Sequence, residues 1–433
     1  MITRNLHRLK VEKTSQRLTS FAGIPLLNEL AHQIGLIEDL NRISGLWKRH
    51  RDYDTADYVM SLALTLVAGG EGLDDVRQLR QDEGVQALGM EDIPASNSLG
   101  EFLRRFGHHT IHRLAGVSSK QVARAVKREG LRSVTLDMDS TLIESDKKEA
   151  AMTYKGFEGY NPLLAWLAEP DLFLAGVFRP GNASPASNNL SLLKYCHRLL
   201  PKDIRLHFRS DSAGYQKEIM RYCVEEDIEF TITADLDVSV MESIEKIPDE
   251  KWQLVIRDKE SFLLAETVHA PGSDSAHRLP AFRLVVTKKI SGQLALFKSP
   301  IDYRAVISNR EDLSVLELLN FHNGRGKAEK AIGELKNGFG LDRLPCGQLM
   351  ANAAYMQICL LAYNLVQIFK EAGLPSGWKK FCVKNLRFRL LCQAAIVATH
   401  AGRLILKFSG GCPFFKIFEN ARWAVLSPCL APG

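Results

Sequence analysis

Between Ser133 and Ser145 the chain reads SVTLDMDSTLIES, where strict alternation puts Val134, Leu136 and Met138 on one face of a predicted strand and Thr135, Asp137 and Asp139 on the other. Before this stretch the apolar positions follow a helical period. Residues 24–43 carry Leu26, Leu27, Leu30, Ile34, Leu36, Ile37 and Leu40 at helical spacing, and residues 54–67 repeat the pattern with Ala56, Val59, Met60, Leu62, Leu64 and Leu66. Ser96 or Ser98 is placed to cap a helix through Phe106, and Ser118 or Ser119 one through Lys127. Residues 1–130 therefore read as an all-α domain.

After residue 131 short strands alternate with helices. The first strand spans 131–143, with 148–156 and 160–168 expected as antiparallel neighbours, and 172–178 ends in the turn Arg179-Pro180-Gly181-Asn182. A helix is predicted over 188–200. Ile204, Leu206 and Phe208 then alternate in a strand that delivers Asp211, followed by a helix at 216–225 and a strand at 229–234. Three strands, helix, strand, helix, strand is the order of an α/β, ribonuclease-H-like core, in which the first strand is central and the fourth lies beside it. That topology brings Asp139 and Asp211 together. Strand-like runs at 252–256, 261–268, 282–288 and 295–297 read as a β-rich insertion, 303–308 as a strand returning to the core, and 314–338 as a helix broken near 321–326. The expected division is 1–130 helical, 131–235 first part of the core, 236–302 insertion, 303–375 completion of the core, and 376–433 a basic C-terminal segment.

Composition narrows the function classes. The 433 residues are 45% hydrophobic and 24% charged, as in a globular protein rather than a disordered one, and the net charge of +6 suits a polyanionic partner. The eight cysteines form no C-x-x-C pair and MITRNLHRLK is no signal peptide, so reduced thiols and a cytoplasmic location are expected. Residues 351–369 are long and apolar, but Asn352, Gln357, Asn364 and Gln367 interrupt them, which points to a helix buried in protein and no membrane. Basic residues gather in the helical region: Arg4, His7, Arg8, Lys10, Lys13 and Arg17; Arg104, Arg105, His108, His109, His112 and Arg113; Lys120, Arg124, Lys127 and Arg128. These are either solvated helix faces or the phosphate contacts of a DNA-binding domain. A second basic run, WKKFCVKNLRFR at 378–389, interleaves Lys379, Lys380, Lys384, Arg387 and Arg389 with aromatics. It suits a DNA backbone or a helix docked by its aromatic face.

The candidate chemistry is acidic. Asp137 and Asp139 share one strand face, and a buried carboxylate pair repels unless a proton or cation lies between. His322, Arg325, Glu329 and Lys336 are spaced to stack on one helix face, while Glu334 falls on nearly the opposite one. Facing two aspartates, Glu329 would complete a metal site and Arg325 and Lys336 would meet phosphate; alone, the stripe is also consistent with a surface helix stitched by ion pairs.

Six motifs in order, LDMDSTLIESDKKEA, YKGFEGYNPLL, RPGNAS, RSDSAGY, NGRGKAEKAIGELKNGF and ANAAYMQICLLAYNL, resemble the DDE transposases of bacterial insertion sequences, in the group called insertion-sequence thirteen-eighty. The resemblance covers about residues 17–405. The family's signature Tyr-x2-Arg-x3-Glu-x6-Lys fits Arg325, Glu329 and Lys336, with His322 at the tyrosine position. It implies metal-dependent cleavage at element ends and strand transfer. Asp139, Asp211 and Glu329 would be the catalytic and metal-holding acids, with Asp137 as second choice, and two Mg²⁺ ions, or Mn²⁺, as cofactor. His322, Arg325, Lys336, Lys379 and Lys380 would serve as DNA or phosphate contacts. Implied partners are double-stranded DNA, as terminal inverted repeats and target, and a second copy of the chain in a homodimer associated with the nucleoid. Two other readings stay open: a transposase-derived DNA-binding protein without chemistry, and a ribonuclease-H-like nuclease without strand transfer.

Overall fold

The computed structural model describes residues 9–46, 53–257, 260–272, 279–290, 301–427 and 430. Arg4, His7, Arg8, Cys429 and the run 295–297 lie outside the described residues.

The strand β1 (Ser133–Ser140) is shorter than the apolar pattern suggests and lies inside a nine-stranded sheet. The other strands are β2 (Leu163–Leu167), β3 (Leu172–Val177), β4 (Arg205–Ser210), β5 (Glu229–Thr233), β6 (Gln253–Arg257), β7 (Glu260–His269), β8 (Phe282–Ile290) and β9 (Ile301–Ser308). Their spatial order is β6-β7-β8-β9-β5-β4-β1-β2-β3. β1 pairs antiparallel with β2 and parallel with β4, so the chain must cross over between β3 and β4, which it does through the helix Asn189–Leu199. β2 is buried along its whole length, as its unbroken apolar run LLAWL requires.

Several expected elements differ. Residues 148–156 do not pair with β1; Ala151–Met152 instead joins a small separate sheet with Glu158–Tyr160 and Ile143–Glu144. The β-rich stretch joins the main sheet: β9 pairs with β5 and β8 with β9, so β6, β7 and β8 extend it, and the segment also holds a helix, Val238–Glu245. Residues 24–43 form two helices, Ile24–Gln33 and Leu36–Asn41, because Gly35 at φ 70° takes a left-handed conformation that stops the first. Ser118 and Ser119 cap nothing. They lie within the continuous helix α1 (His108–Arg128), where Ser119 Oγ sits 2.9 Å from Ala115 O and 2.8 Å from Leu174 O, tying α1 to β3. The N-terminal region is also not wholly helical, since Arg17–Thr19 is a strand paired with Ala395–His400.

The long apolar helix Leu349–Gly373 would be long enough to cross a membrane, yet here it is buried among the other elements, packed on α1, the helix Thr55–Ala68 and β3. Asn352, Gln357 and Asn364, three of its four interrupting polar residues, have internal partners. Asn364 accepts from Phe173 N and donates to Phe173 O, both at 2.8 Å, and so covers the open edge of β3 as another strand would. Asn352 does the same for Cys346, and Gln357 donates to Gly176 O. The seven described cysteines are free thiols.

Candidate active site

The parallel register sets Met138 opposite Ser210, so β1 and β4 end side by side and present Asp139 and Asp211 at the same edge of the sheet. Asp211 caps a single 3₁₀ turn, its Oδ1 accepting from Ala213 N at 3.0 Å, which fixes its carboxylate at the strand end. The third acid arrives on a helix. Helix Val315–Asn323, capped by Ser314 and Glu317, breaks at Gly324 and Arg325, and helix Gly326–Gly338 carries Glu329 in its first turn.

Arg325 stands between the acids. Its Nη1 is 3.4 Å from Asp139 Oδ2 and its Nη2 3.3 Å from Glu329 Oε1. Burial raises the Asp139 pKa to about 6; Arg325 opposes the rise, and the negative charges of Asp211 and Glu329 add to it. Asp139 thus feels both other acids, while Arg325 lies between it and Glu329. Asp211, Thr233, Arg304, His322, Arg325 and Glu329 line a cleft of about 650 Å³ at this edge. Among the described residues no three His, Cys, Asp or Glu side chains have closed to metal-binding distance, and the charge among the carboxylates is that of Arg325.

Asp137 does not belong to this group. It is 1% exposed and held by both ends of Arg209, Nε to Oδ1 at 2.7 Å and Nη2 to Oδ2 at 2.6 Å, so its oxygens are committed. Sequence reading missed Arg209. The only available signal was its place two residues before Asp211, on the same strand face.

The helix stripe is partly as expected. Lys336 turns to the segment after β1, Nζ donating to Leu142 O at 2.9 Å. His322 does not offer a nitrogen to the cleft: Nε2 lies 3.0 Å from Thr233 Oγ1 and Nδ1 3.2 Å from Thr231 Oγ1, and burial lowers its pKa to about 4. It is a neutral pin between β5 and the helix break. Glu334 accepts from Val383 N at 2.6 Å and is absorbed by the C-terminal segment, away from Asp139.

Part of the basic surface expected on the helical region is used internally. Asp39, with its side chain 6% exposed, takes Lys120 at 2.6 Å and Arg124 at 3.1 Å; Arg113 bonds Ser44 and the His112 ring meets that of Tyr195. In the C-terminal run, Lys379 pairs with Glu371 at 2.7 Å and Arg387 donates to the carbonyls of Val67, Leu66 and Gly338, whereas Lys380 and Lys384 are exposed. Trp378 packs against Phe381 and Phe414, so the aromatic side of the run docks, but Phe388 is 80% exposed.

A family model described as "Transposase DDE domain group 1" matches residues 3–427. No curated protein matches the chain in sequence. Among solved structures the chain is similar to one described as "Cryo-EM structure of piggyBac transposase synaptic complex with hairpin DNA", with TM-score 0.44 and 10% identity over 84% of this chain and 80% of that one.

Proposed function

The chain belongs to the DDE transposase domain family, group 1, and on that premise we propose that it excises a mobile element by cutting DNA at the element's ends and joins those ends to target DNA. In this reading β1 to β5 with their crossover helix form a ribonuclease-H-like core, and the protein is a transposase of the bacterial insertion-sequence thirteen-eighty group. The observation that carries it is that Asp139 and Asp211 end neighbouring strands at one sheet edge, where Arg325 links Asp139 to Glu329.

The donor set suits hard divalent cations, because it offers only carboxylate oxygens. Asp139, Asp211 and Glu329 would hold two Mg²⁺, or Mn²⁺ in their place. When bound, such a pair activates a water or a DNA 3′-hydroxyl and stabilises the leaving oxygen of an in-line displacement. The residues of the chain do the rest. In the metal-free protein the Asp139 pKa is raised by burial to about 6, and a bound cation would favour its charged form. Arg325, in reach of two acids, is the group placed to turn to a DNA phosphate, and its planar fork suits two phosphate oxygens. Lys336 adds charge at the end of β1. Two protomers, each engaging one terminal repeat, would make up the active complex, working on DNA in the nucleoid.

The test is a duplex carrying the element's end, incubated with and without Mg²⁺. Wild-type protein should cut and join it only with metal, and Asp139→Asn and Asp211→Asn should bind it without cutting. Full cleavage by either variant sinks the assignment, cutting without joining favours a nuclease, and binding without cutting by the wild type favours a DNA-binding protein.

A further inference from the structure

Beneath the three acids lies a buried group that the proposed chemistry does not consume. Arg209, 5% exposed, sits on β4 two residues before Asp211. Across the parallel ladder it is the register partner of Asp137, which lies two residues before Asp139 on β1. Nε and Nη2 of Arg209 take the two oxygens of Asp137. The remaining nitrogen, Nη1, donates to Phe321 O at 2.6 Å, in the last turn before the break that starts the helix of Arg325 and Glu329. The Phe321 ring itself lies 4.9 Å from the Arg209 guanidinium carbon and 4.5 Å from that of Arg310.

One side chain therefore grips all three segments that deliver an acid. Each grip is close in the chain to the acid it serves: one strand period for Asp139 and Asp211, and the residues just before the break for Glu329. The break itself is shaped by the same group. A Cβ at Gly324 would clash with Arg209 Nη1, so the glycine lets the helix junction close over the guanidinium.

We propose that Arg209 is the positioning residue of the site, setting the distance of the Glu329 helix from the two aspartates, with Asp137 as its anchor and Gly324 as the gap that admits it. This rests on the proposed function, since the acids it positions are those assigned there. The role differs from that of an ordinary core ion pair, which would affect folding alone.

The two are separated by measuring Mn²⁺ binding, by electron paramagnetic resonance on full-length protein, alongside the thermal midpoint. The double variant Asp137→Leu/Arg209→Met removes both charges at similar volume, an exchange that buried ion pairs commonly tolerate. Gly324→Ala keeps both residues and displaces the guanidinium. Both should keep a midpoint within a few degrees of wild type yet bind Mn²⁺ roughly tenfold or more weakly, the usual effect of losing a group that orients metal ligands. Arg209→Lys, which cannot grip two oxygens and a carbonyl together, should bind Mn²⁺ as weakly as these variants. If wild type shows Mn²⁺ binding that Asp139→Asn abolishes, while both the double variant and Gly324→Ala bind as wild type does, the positioning role is overturned and the site stands. If wild type shows no such Asp139-dependent binding, the site assignment fails, and the positioning role with it.

Discussion

Replacing Asp139 with asparagine should make the metal-free protein more stable while destroying its chemistry. Burial, reinforced by Asp211 and Glu329 and opposed by Arg325, moves this carboxyl from 3.8 to about 6. That rise corresponds to about 3 kcal/mol between its protonation states. Between those two values the folded protein holds a proton that the unfolded chain has lost, so stability falls as pH rises through the window and the whole penalty is present above pH 7. An amide has nearly the same shape and never ionises. Asp139→Asn should therefore gain up to about 3 kcal/mol at pH 7.5, and about half of that at pH 5, where much of the wild-type carboxyl is protonated in the folded state. The contact with Arg325 is already contained in this balance. Denaturant titrations in EDTA at the two pH values measure the gain. Added Mg²⁺ should then stabilise the wild type and leave the variant unchanged. A variant that is less stable than wild type at pH 7.5, or whose gain does not change with pH, would refute the reasoning.

Other consequences are more local. Asn364→Leu should destabilise the fold by about 2–4 kcal/mol, because it strands the buried N–H and C=O of Phe173 at the edge of β3; a cost under 1 kcal/mol in denaturant titration would show that water replaces it. The His322 ring should stay neutral across pH 5–8, so its NMR resonances should not titrate there, whereas a midpoint near 6.5 would mean that the ring leaves the two threonines. Neutralising Lys379, Lys380, Lys384 and Arg389 together should lower the slope of log affinity for DNA against log salt. Arg387 is left out because its donors are spent on backbone carbonyls, and an unchanged slope would make the segment structural.

The parts of this architecture that were legible in the sequence are those written in local periodicity. The alternation of Val134, Leu136 and Met138 gave a strand with Asp139 at its edge, and spacing put Arg325 and Glu329 on a common helix face. What was hidden depends on partners distant in sequence. Asp137 and Asp139 look alike on a strand face, and only the register with β4 reveals that one has an arginine opposite it. Lys120 and Arg124 read as surface charge until Asp39, some eighty residues earlier, is seen beneath them. The strands after residue 250 were recognised, but which sheet they joined was decided by β9 pairing with β5, an antiparallel choice that no local pattern encodes. Ser118 and Ser119 imitate caps because a small hydroxyl serves equally well in a helix interior when its oxygen faces a buried carbonyl.

The central claim is that Asp139, Asp211 and Glu329 hold the metal ions of one site. Loading the protein with Fe²⁺ and adding ascorbate and peroxide releases hydroxyl radicals at the bound metal, which cut the nearest backbone. The account predicts fragments ending close to residues 139, 211 and 329, suppressed by excess Mg²⁺ and by Asp139→Asn, and unaffected by Glu334→Gln. Cuts clustered elsewhere, or cuts at these positions that persist in Asp139→Asn but disappear in Glu334→Gln, would contradict it.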